Sequence, residues 1–273
     1  MQFTSAQLKY AARYKIKKSG LRSILATLIL LVILTAMGLL ALRLIGYIDY
    51  VFAVYGEFVE VLAEDYGALR GNMDSPTELY GIMFEALFKA MEGVPEWTIP
   101  PVGGILAAAV GMMMLVFLAG HTYFCYRISR EEKPRYRDLT AGFSCMGKLV
   151  GIWIFRIAAT LLGLFLFVLP GILIWYRCRN AVFVLCEHPE YTAMQCIRES
   201  LRIGGAGKLI MLDLSFIGWH ILNYVLMAIL LTPIVFLWIV PYMQVARAEF
   251  YNRGVRWTPA LKREDETEEN TEE

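Results

Sequence analysis

The feature that most limits the fold is a run of 19 residues without a charged side chain, from Ile24 to Leu42. As an α-helix this run is about 28 Å long, which matches the hydrocarbon thickness of a bilayer. A soluble domain of 273 residues also buries many apolar side chains, but in shorter stretches interrupted by polar residues. Val102 to Gly120 is a second run of the same kind. Both runs predict transmembrane helices.

Further apolar runs predict four more transmembrane helices, at 149–169, 171–185, 209–229 and 233–245. Pro170-Gly171 is interpreted as the turn that ends the third helix. The fourth run is short and carries Arg177 and Arg179, so a re-entrant or interfacial helix is the alternative to a full span. We predict an all-α fold: a polytopic membrane helical bundle with about six transmembrane helices and interfacial amphipathic helices.

The distribution of basic residues predicts the orientation. Six of them precede the first apolar run: Lys9, Arg13, Lys15, Lys17, Lys18 and Arg22. Gly46 to Pro101 carries ten acidic residues against only Arg70 and Lys89. By the positive-inside rule we expect a multi-pass plasma-membrane protein with both termini in the cytoplasm. The basic N-terminal segment is expected to contact anionic lipid of the bilayer, which argues against nucleic-acid binding.

The chain is predicted to form one transmembrane bundle over residues 1–263, with an outer acidic helical loop at 46–101. Ser75-Pro76 is a helix-start signal inside this loop, and the stretch before it, from Tyr47 to Phe58, is rich in aromatic residues. Both segments are predicted to be amphipathic helices. Residues 264–273 are almost wholly acidic and polar, which predicts a disordered cytoplasmic tail.

A short pattern recurs before three of the predicted spans. Gly147-Lys148-Leu149 precedes the third and Gly207-Lys208-Leu209 the fifth, while Gly20-Leu21-Arg22 precedes the first. One interpretation is three repeated units, each an interfacial helix followed by a transmembrane hairpin. The other is chance similarity in a sequence of biased composition.

Patterns that carry catalysis or metal binding are absent from the sequence. It contains no GxSxG, HExxH or EF-hand motif. The five cysteines fit no zinc-ligand spacing and lie outside the predicted outer loop, so free thiols are expected. We therefore predict no catalytic residues, no metal site, no cofactor and no enzymatic activity.

Ionisable residues inside transmembrane segments are costly and are functional candidates. The candidate intramembrane polar cluster comprises Arg156, Arg177, Arg179, Asp213 and His220. Counted from the inner ends of their spans, Arg156, Arg179 and Asp213 lie at similar depths, roughly 6 to 10 Å. Asp213 either neutralises one arginine while the others extend to the surface, or helps to form a site for an anionic substrate or lipid headgroup. Arg177 and Arg179 face opposite sides of a helix, so only one of them joins such a site.

Asp213 and His220 are seven residues apart and share one helix face, with Asn223 one turn further on. A carboxylate and an imidazole on one stripe suit a proton relay. Two helical turns, however, exceed the reach of a direct hydrogen bond. Interhelical hydrogen bonding is the other interpretation of His220 and Asn223.

Several motifs in the second half of the chain carry a family resemblance. In order they are Leu169-Pro170-Gly171-Ile172, Tyr176-Arg177, Ser200, Leu214-Ser215-Phe216-Ile217-Gly218-Trp219, Pro241-Tyr242-Met243-Gln244-Val245-Ala246 and Phe250-Tyr251. Over residues 149–251 the chain resembles a large bacterial family of integral membrane proteins catalogued as a domain of unknown function. It is also distantly similar to the membrane domain of some glycerophosphodiester phosphodiesterases. The resemblance implies a six-span bundle in a bacterial plasma membrane, without an assigned reaction.

Two functional hypotheses follow. The first is a non-enzymatic membrane protein acting in envelope or lipid homeostasis, or as a partner subunit of another membrane protein or of a homo-oligomer. The second is a small transporter or permease that binds an anionic substrate or lipid headgroup at the buried Arg and Asp residues.

Overall fold

The computed structural model describes the backbone of residues 4–69, 76–230 and 234–269, and the side chains of 4–64, 80–226 and 235–255. The described residues form α-helices and 3-10 helices and contain no strand, which confirms the all-α prediction. The α-helices are α1 (Ser5–Ser19), α2 (Leu21–Leu44), α3 (Tyr47–Leu69), α4 (Pro76–Gly93), α5 (Pro101–Ser129), α6 (Met146–Leu166), α7 (Val168–Arg177), α8 (Ala181–Glu187), α9 (Ala193–Ile203), α10 (Ala206–Leu214), α11 (Ile217–Leu230) and α12 (Ile234–Glu269). The 3-10 helices are Tyr136–Cys145 and Cys178–Asn180.

Five helical segments of the described chain are long and apolar enough to cross a membrane: Leu21–Leu44, Pro101–Ser129, Tyr136–Leu166, Val168–Glu187 and Ala206–Leu226. They coincide with the first five predicted spans. The predicted sixth span begins at Pro233, outside the described residues, and continues as the start of α12. This helix is not among the five found in the described part of the chain.

The turn between α6 and α7 corrects one prediction. The chain reverses at Phe167, whose backbone is extended (φ −161°, ψ 151°), whereas Pro170-Gly171 lies inside the first turn of α7. Proline is tolerated there because the first amide groups of a helix have no intrahelical acceptor. The Pro-Gly pair therefore marks the start of a helix and not the end of one.

A glycine contact joins α6 and α7 tightly. A Cβ atom added to Gly163 would lie 2.8 Å from the Cα atom of Gly171. A Cβ atom added to Gly171 would in turn lie 2.6 Å from Cγ of Leu164. The two helix backbones approach this closely because neither residue carries a side chain, as in other small-residue contacts between membrane helices.

The helices α1 and α9 share their capping chemistry. Thr4 and Gln7 form a capping box at the start of α1, and Thr192 and Gln195 form one at the start of α9. Each helix ends at a glycine with positive φ. This glycine is Gly20 for α1 (φ 62°) and Gly204 for α9 (φ 61°). The middle proposed repeat unit, which contains the third predicted span, has a 3-10 helix in this position instead. The structural similarity therefore extends to two of the three units.

The chain divides into two compact units, Leu34–Met114 and the combination of Met1–Ile33 with Leu115–Glu273. In the first unit α3 and α4 pack together, and Ala86 and Ala90 are buried. The indole nitrogen of Trp97 donates a hydrogen bond to the carbonyl of Ile45 (2.9 Å). The helix α4 begins at Pro76 as predicted, while its predicted cap Ser75 lies outside the described residues.

In the second unit α1 packs along α12, burying Leu8, Ala12 and Ile16 at four-residue spacing. Lys15 of α1 forms an ion pair with Glu249 of α12 (2.7 Å). The helix α12 extends to Glu269. It therefore includes the start of the acidic tail predicted to be disordered, and the last four residues of that tail lie outside the described chain.

Candidate anion-binding site

Asp213 of α10 is the acidic centre of the buried charged cluster. Its Oδ2 accepts a hydrogen bond from Nη1 of Arg179 (2.6 Å), and its Oδ1 accepts one from Nε of Arg247 (2.9 Å). The side chains of Asp213 and Arg247 are 12% and 7% exposed. One carboxylate therefore holds two guanidinium groups, which leaves the trio with a net positive charge.

Arg247 was not among the residues predicted to form the cluster. It lies on α12 after the end of the predicted sixth span. Its partner Met243 is four residues earlier on the same helix face, with Sδ 3.1 Å from Nη2 of Arg247. The four-residue spacing from Met243 indicates that Arg247 faces inward on the same side of the helix. This inference is possible only if α12 is known to continue beyond the apolar run.

Arg156 of α6 is buried, with 5% of its surface exposed. Its guanidinium carbon lies 3.5 Å from the ring centroid of Trp175 and 5.0 Å from that of Trp153. Its Nε atom has no hydrogen-bond partner, and no described carboxylate pairs with its side chain. The cation–π contacts stabilise the charge in part, but a buried charge is normally paired.

Arg156 and Arg179 line a cavity of about 190 Å³, here named the arginine cavity. Its walls are Leu118, Ala119 and Thr122 of α5, Trp153 and Arg156 of α6, Trp175 of α7, Arg179, Val182 and Phe183 near α8, and Gln244 of α12. None of these lining residues is acidic. The indole Nε1 of Trp153 is also buried without a hydrogen-bond partner.

The donor set of the arginine cavity suits an anion. Guanidinium and indole groups carry N–H donors and no acceptor, and a guanidinium binds carboxylate or phosphate oxygens through two parallel hydrogen bonds. Counting Arg156, Arg179 and Arg247 against Asp213, the cluster has three positive charges and one negative charge. An anion next to Arg156 would compensate this excess.

The other two predicted cluster residues lie apart from the arginine cavity. Arg177 is exposed, and only its backbone carbonyl is engaged, by the hydroxyl of Ser200. The side chain of His220 makes no hydrogen bond to a described residue. A different histidine, His121 of α5, forms an interhelical hydrogen bond. Its Nε2 is 3.0 Å from Oγ1 of Thr27 in α2. His121 was not among the residues predicted to be functional.

An aromatic stack connects one wall of the arginine cavity to a charged pair. The ring of Phe183 stacks on that of Tyr251 at 5.6 Å between centroids. The Tyr251 hydroxyl donates a hydrogen bond to Glu187 (2.7 Å), which also pairs with Arg130. Burial raises the pKa of Tyr251, so its hydroxyl stays protonated and donates. These contacts fix the position of α8 in the cavity wall.

The fold and the arginine cavity define an all-helical protein with several membrane-compatible helices and a buried, positively charged cavity. Residues 148–256 match a family described as a protein of unknown function, DUF975. The match confirms the predicted resemblance over this part of the chain, and it includes Arg156, Arg179, Asp213 and Arg247. No curated protein and no solved structure matches the chain. The similarity to glycerophosphodiester phosphodiesterases stays a prediction.

Proposed function

We propose that this chain is a non-enzymatic integral membrane protein that binds a phosphate-type anion in the arginine cavity. The observation that carries the proposal is Arg156, a buried guanidinium without a carboxylate partner among the described residues. Arg179 lines the same cavity and adds a second guanidinium. Two arginines that line one cavity suit the oxygens of a phosphate, which accept charge-assisted hydrogen bonds.

The phosphate has two chemical sources. It is either the headgroup of an anionic lipid, which corresponds to a role in envelope or lipid homeostasis, or a soluble phosphate compound, which corresponds to a permease. Both make the same contacts with Arg156 and Arg179. A binding experiment with separate arms for lipid and for inorganic phosphate therefore distinguishes them.

The proposed location is the plasma membrane of a bacterium, with both termini in the cytoplasm. The excess of basic residues on α1 supports this orientation. One crevice near the end of α1 has a net positive lining, which supports contact of this segment with anionic lipid headgroups. Its charged residues are Lys15, Lys18, Arg22, Lys133, Glu131 and Glu132. Protection of a single cysteine at Ser5 from a membrane-impermeant thiol reagent in intact cells tests the orientation. Labelling at Ser5 contradicts it.

The test of the proposed anion site compares three proteins: wild type, Arg156→Met and Arg202→Gln. Arg202 is the matched control because it is exposed on α9 and paired with Glu199 (2.9 Å). The unfolding midpoint is measured in nanodiscs of phosphatidylcholine, with added inorganic phosphate in one arm and phosphatidylglycerol in the other. A ligand that binds only the folded protein raises its stability with concentration.

We expect phosphate or phosphatidylglycerol to stabilise wild type and Arg202→Gln but not Arg156→Met. Without ligand, Arg156→Met should be at least as stable as wild type. This follows because an unpaired buried charge costs several kcal/mol, whereas a desolvated cation–π contact of the kind that is lost contributes about 2 kcal/mol. Equal stabilisation of all three proteins would contradict the proposal. A strongly destabilised Arg156→Met would indicate a structural role for Arg156.

A further inference from the structure

A second cavity of about 250 Å³ lies beside the 3-10 helix Tyr136–Cys145. Apolar side chains and two thiols form most of its wall, among them Leu149 of α6, Leu185 and Cys186 of α8, and Cys145. A cysteine thiol is a weak hydrogen-bonding group and behaves as a small apolar side chain. The lining contains no charged residue. We name it the apolar cavity.

The apolar cavity and the arginine cavity share two wall residues. Ala119 of α5 and Val182 of α8 line both. Arg156 and Arg179 line only the arginine cavity, and the thiols line only the apolar cavity. The arginine cavity and the apolar cavity are thus adjacent. The methyl group of Ala119 and the isopropyl group of Val182 lie between them. This arrangement matches a ligand that has a charged end and an apolar end.

We propose that the two cavities together bind one anionic amphiphile, with its phosphate group in the arginine cavity and part of an aliphatic chain in the apolar cavity. The inference rests on the proposed function and restricts its ligand to a phosphate that carries an alkyl chain. Inorganic phosphate fills only the arginine cavity and leaves the apolar cavity unused. Each methylene transferred from water into an apolar site tightens binding about fourfold, so the chain dominates the affinity.

Ala119 lies where the alkyl chain of the proposed ligand would pass from one cavity to the other. The side chain of Ala119 is a single methyl group, and 7% of the residue is exposed. A larger side chain at this position would fill the space between the arginine cavity and the apolar cavity. Ala119→Leu should therefore exclude the alkyl chain from the apolar cavity. Because Ala119 also lines the arginine cavity, the readout is the preference for dodecyl phosphate over inorganic phosphate within each variant. Ala158→Leu is the matched control, because Ala158 is exposed on α6 and lines neither cavity.

The experiment measures binding of dodecyl phosphate and of inorganic phosphate to the full-length protein in phosphatidylcholine nanodiscs. In wild type and Ala158→Leu we expect dodecyl phosphate to bind at least about tenfold more tightly than inorganic phosphate. In Ala119→Leu we expect this preference to fall several-fold. The Ala158→Leu control accounts for partition of dodecyl phosphate into the bilayer.

Cys145 and Cys186 give a second measurement in a protein without a substitution in either cavity. Both thiols are half-buried in the apolar wall. Saturating dodecyl phosphate should slow their alkylation, measured by mass spectrometry, whereas inorganic phosphate should not. This readout keeps the inference testable if Ala119→Leu does not fold.

Two results overturn the inference. One is an equal preference for dodecyl phosphate in Ala119→Leu and in wild type. The other is alkylation of Cys145 and Cys186 that dodecyl phosphate does not slow. In both cases binding of inorganic phosphate through Arg156 still supports the proposed function. If neither phosphate binds to wild type, the proposed function fails as well.

Discussion

Replacement of Asp213 by asparagine removes the carboxylate that, among the described residues, contacts both Arg179 and Arg247 (2.6 and 2.9 Å). The side chains of Arg247 and Asp213 are 7% and 12% exposed, so solvent screens the lost charge poorly. Breaking a buried ion pair from one side typically costs about 3–5 kcal/mol because the remaining charge stays desolvated. We expect Asp213→Asn to lower the free energy of unfolding by this amount.

The assay is reversible unfolding of the purified protein in mixed micelles, with increasing fractions of a denaturing detergent. Glu199→Gln is the matched control, because it removes an exposed partner of Arg202 (2.9 Å). Exposed pairs contribute about 0–1 kcal/mol. The double variant with Arg247→Met should regain part of the stability that Asp213→Asn loses, because it removes one of the two uncompensated charges.

A loss within about 1 kcal/mol of the control would refute this reasoning, because it would mean that Asp213 does not carry the charge balance of the cluster. The substitution also changes the electrostatic environment of the proposed anion site. Asp213→Asn makes the surroundings of Arg156 more positive, so phosphate should stabilise this variant more than wild type. A smaller stabilisation would contradict the anion-binding proposal.

Three further predictions follow from local contacts, each measurable on the purified protein. Gly163→Ala should destabilise by about 1–3 kcal/mol in the same unfolding assay, because its Cβ would lie 2.8 Å from Gly171, and an unchanged midpoint would contradict the close contact. Tyr251→Phe should cost about 1.5–3 kcal/mol because it removes a hydrogen bond to charged Glu187, and a neutral effect would contradict that bond. Burial raises the pKa of Cys196 to about 11, so its alkylation should be slow at pH 8 and rise about tenfold per pH unit below pH 11. Its rate in the denatured protein is the control, and equal rates would contradict the burial.

The positions of the helices were largely predictable because hydropathy and capping are local properties. The charge-free runs predicted α2 and α5, and Pro76 predicted the start of α4. The turn at Phe167 was misplaced because Pro170-Gly171 fits both the end of one helix and the first turn of the next. The close contact between Gly163 and Gly171 selects the second of these positions, the first turn of a helix. This contact involves two helices, so the local sequence does not reveal it.

The candidate site was only partly predictable for a related reason. Spacing identified Arg156, Arg179 and Asp213 as residues at similar depth, but pairing also depends on the rotation of each helix about its axis. This rotation brings Arg247 to Asp213 and directs Arg177 away from it. The excess positive charge at Arg156 arises only from this arrangement, since the charge of the whole chain is nearly balanced at +1.

A buried arginine without a charged partner is expected in a functional protein when a bound ligand neutralises its charge. Residues that reduce the stability of the empty protein are common at functional sites. Stability therefore distinguishes a structural arginine, whose replacement destabilises, from a binding arginine, whose replacement does not. The cation–π contacts of Arg156 with Trp153 and Trp175 hold its guanidinium in one orientation towards the cavity.

The most direct test of the central claim uses Trp153 and Trp175 as reporters, because both flank Arg156 in the arginine cavity. Tryptophan fluorescence of the full-length protein is measured during a phosphate titration, with chloride at matched ionic strength as the control. We predict a saturable change in wild type and in Arg202→Gln that is absent in Arg156→Met. An identical response of wild type and Arg156→Met, or no response beyond that to chloride, would contradict anion binding at Arg156.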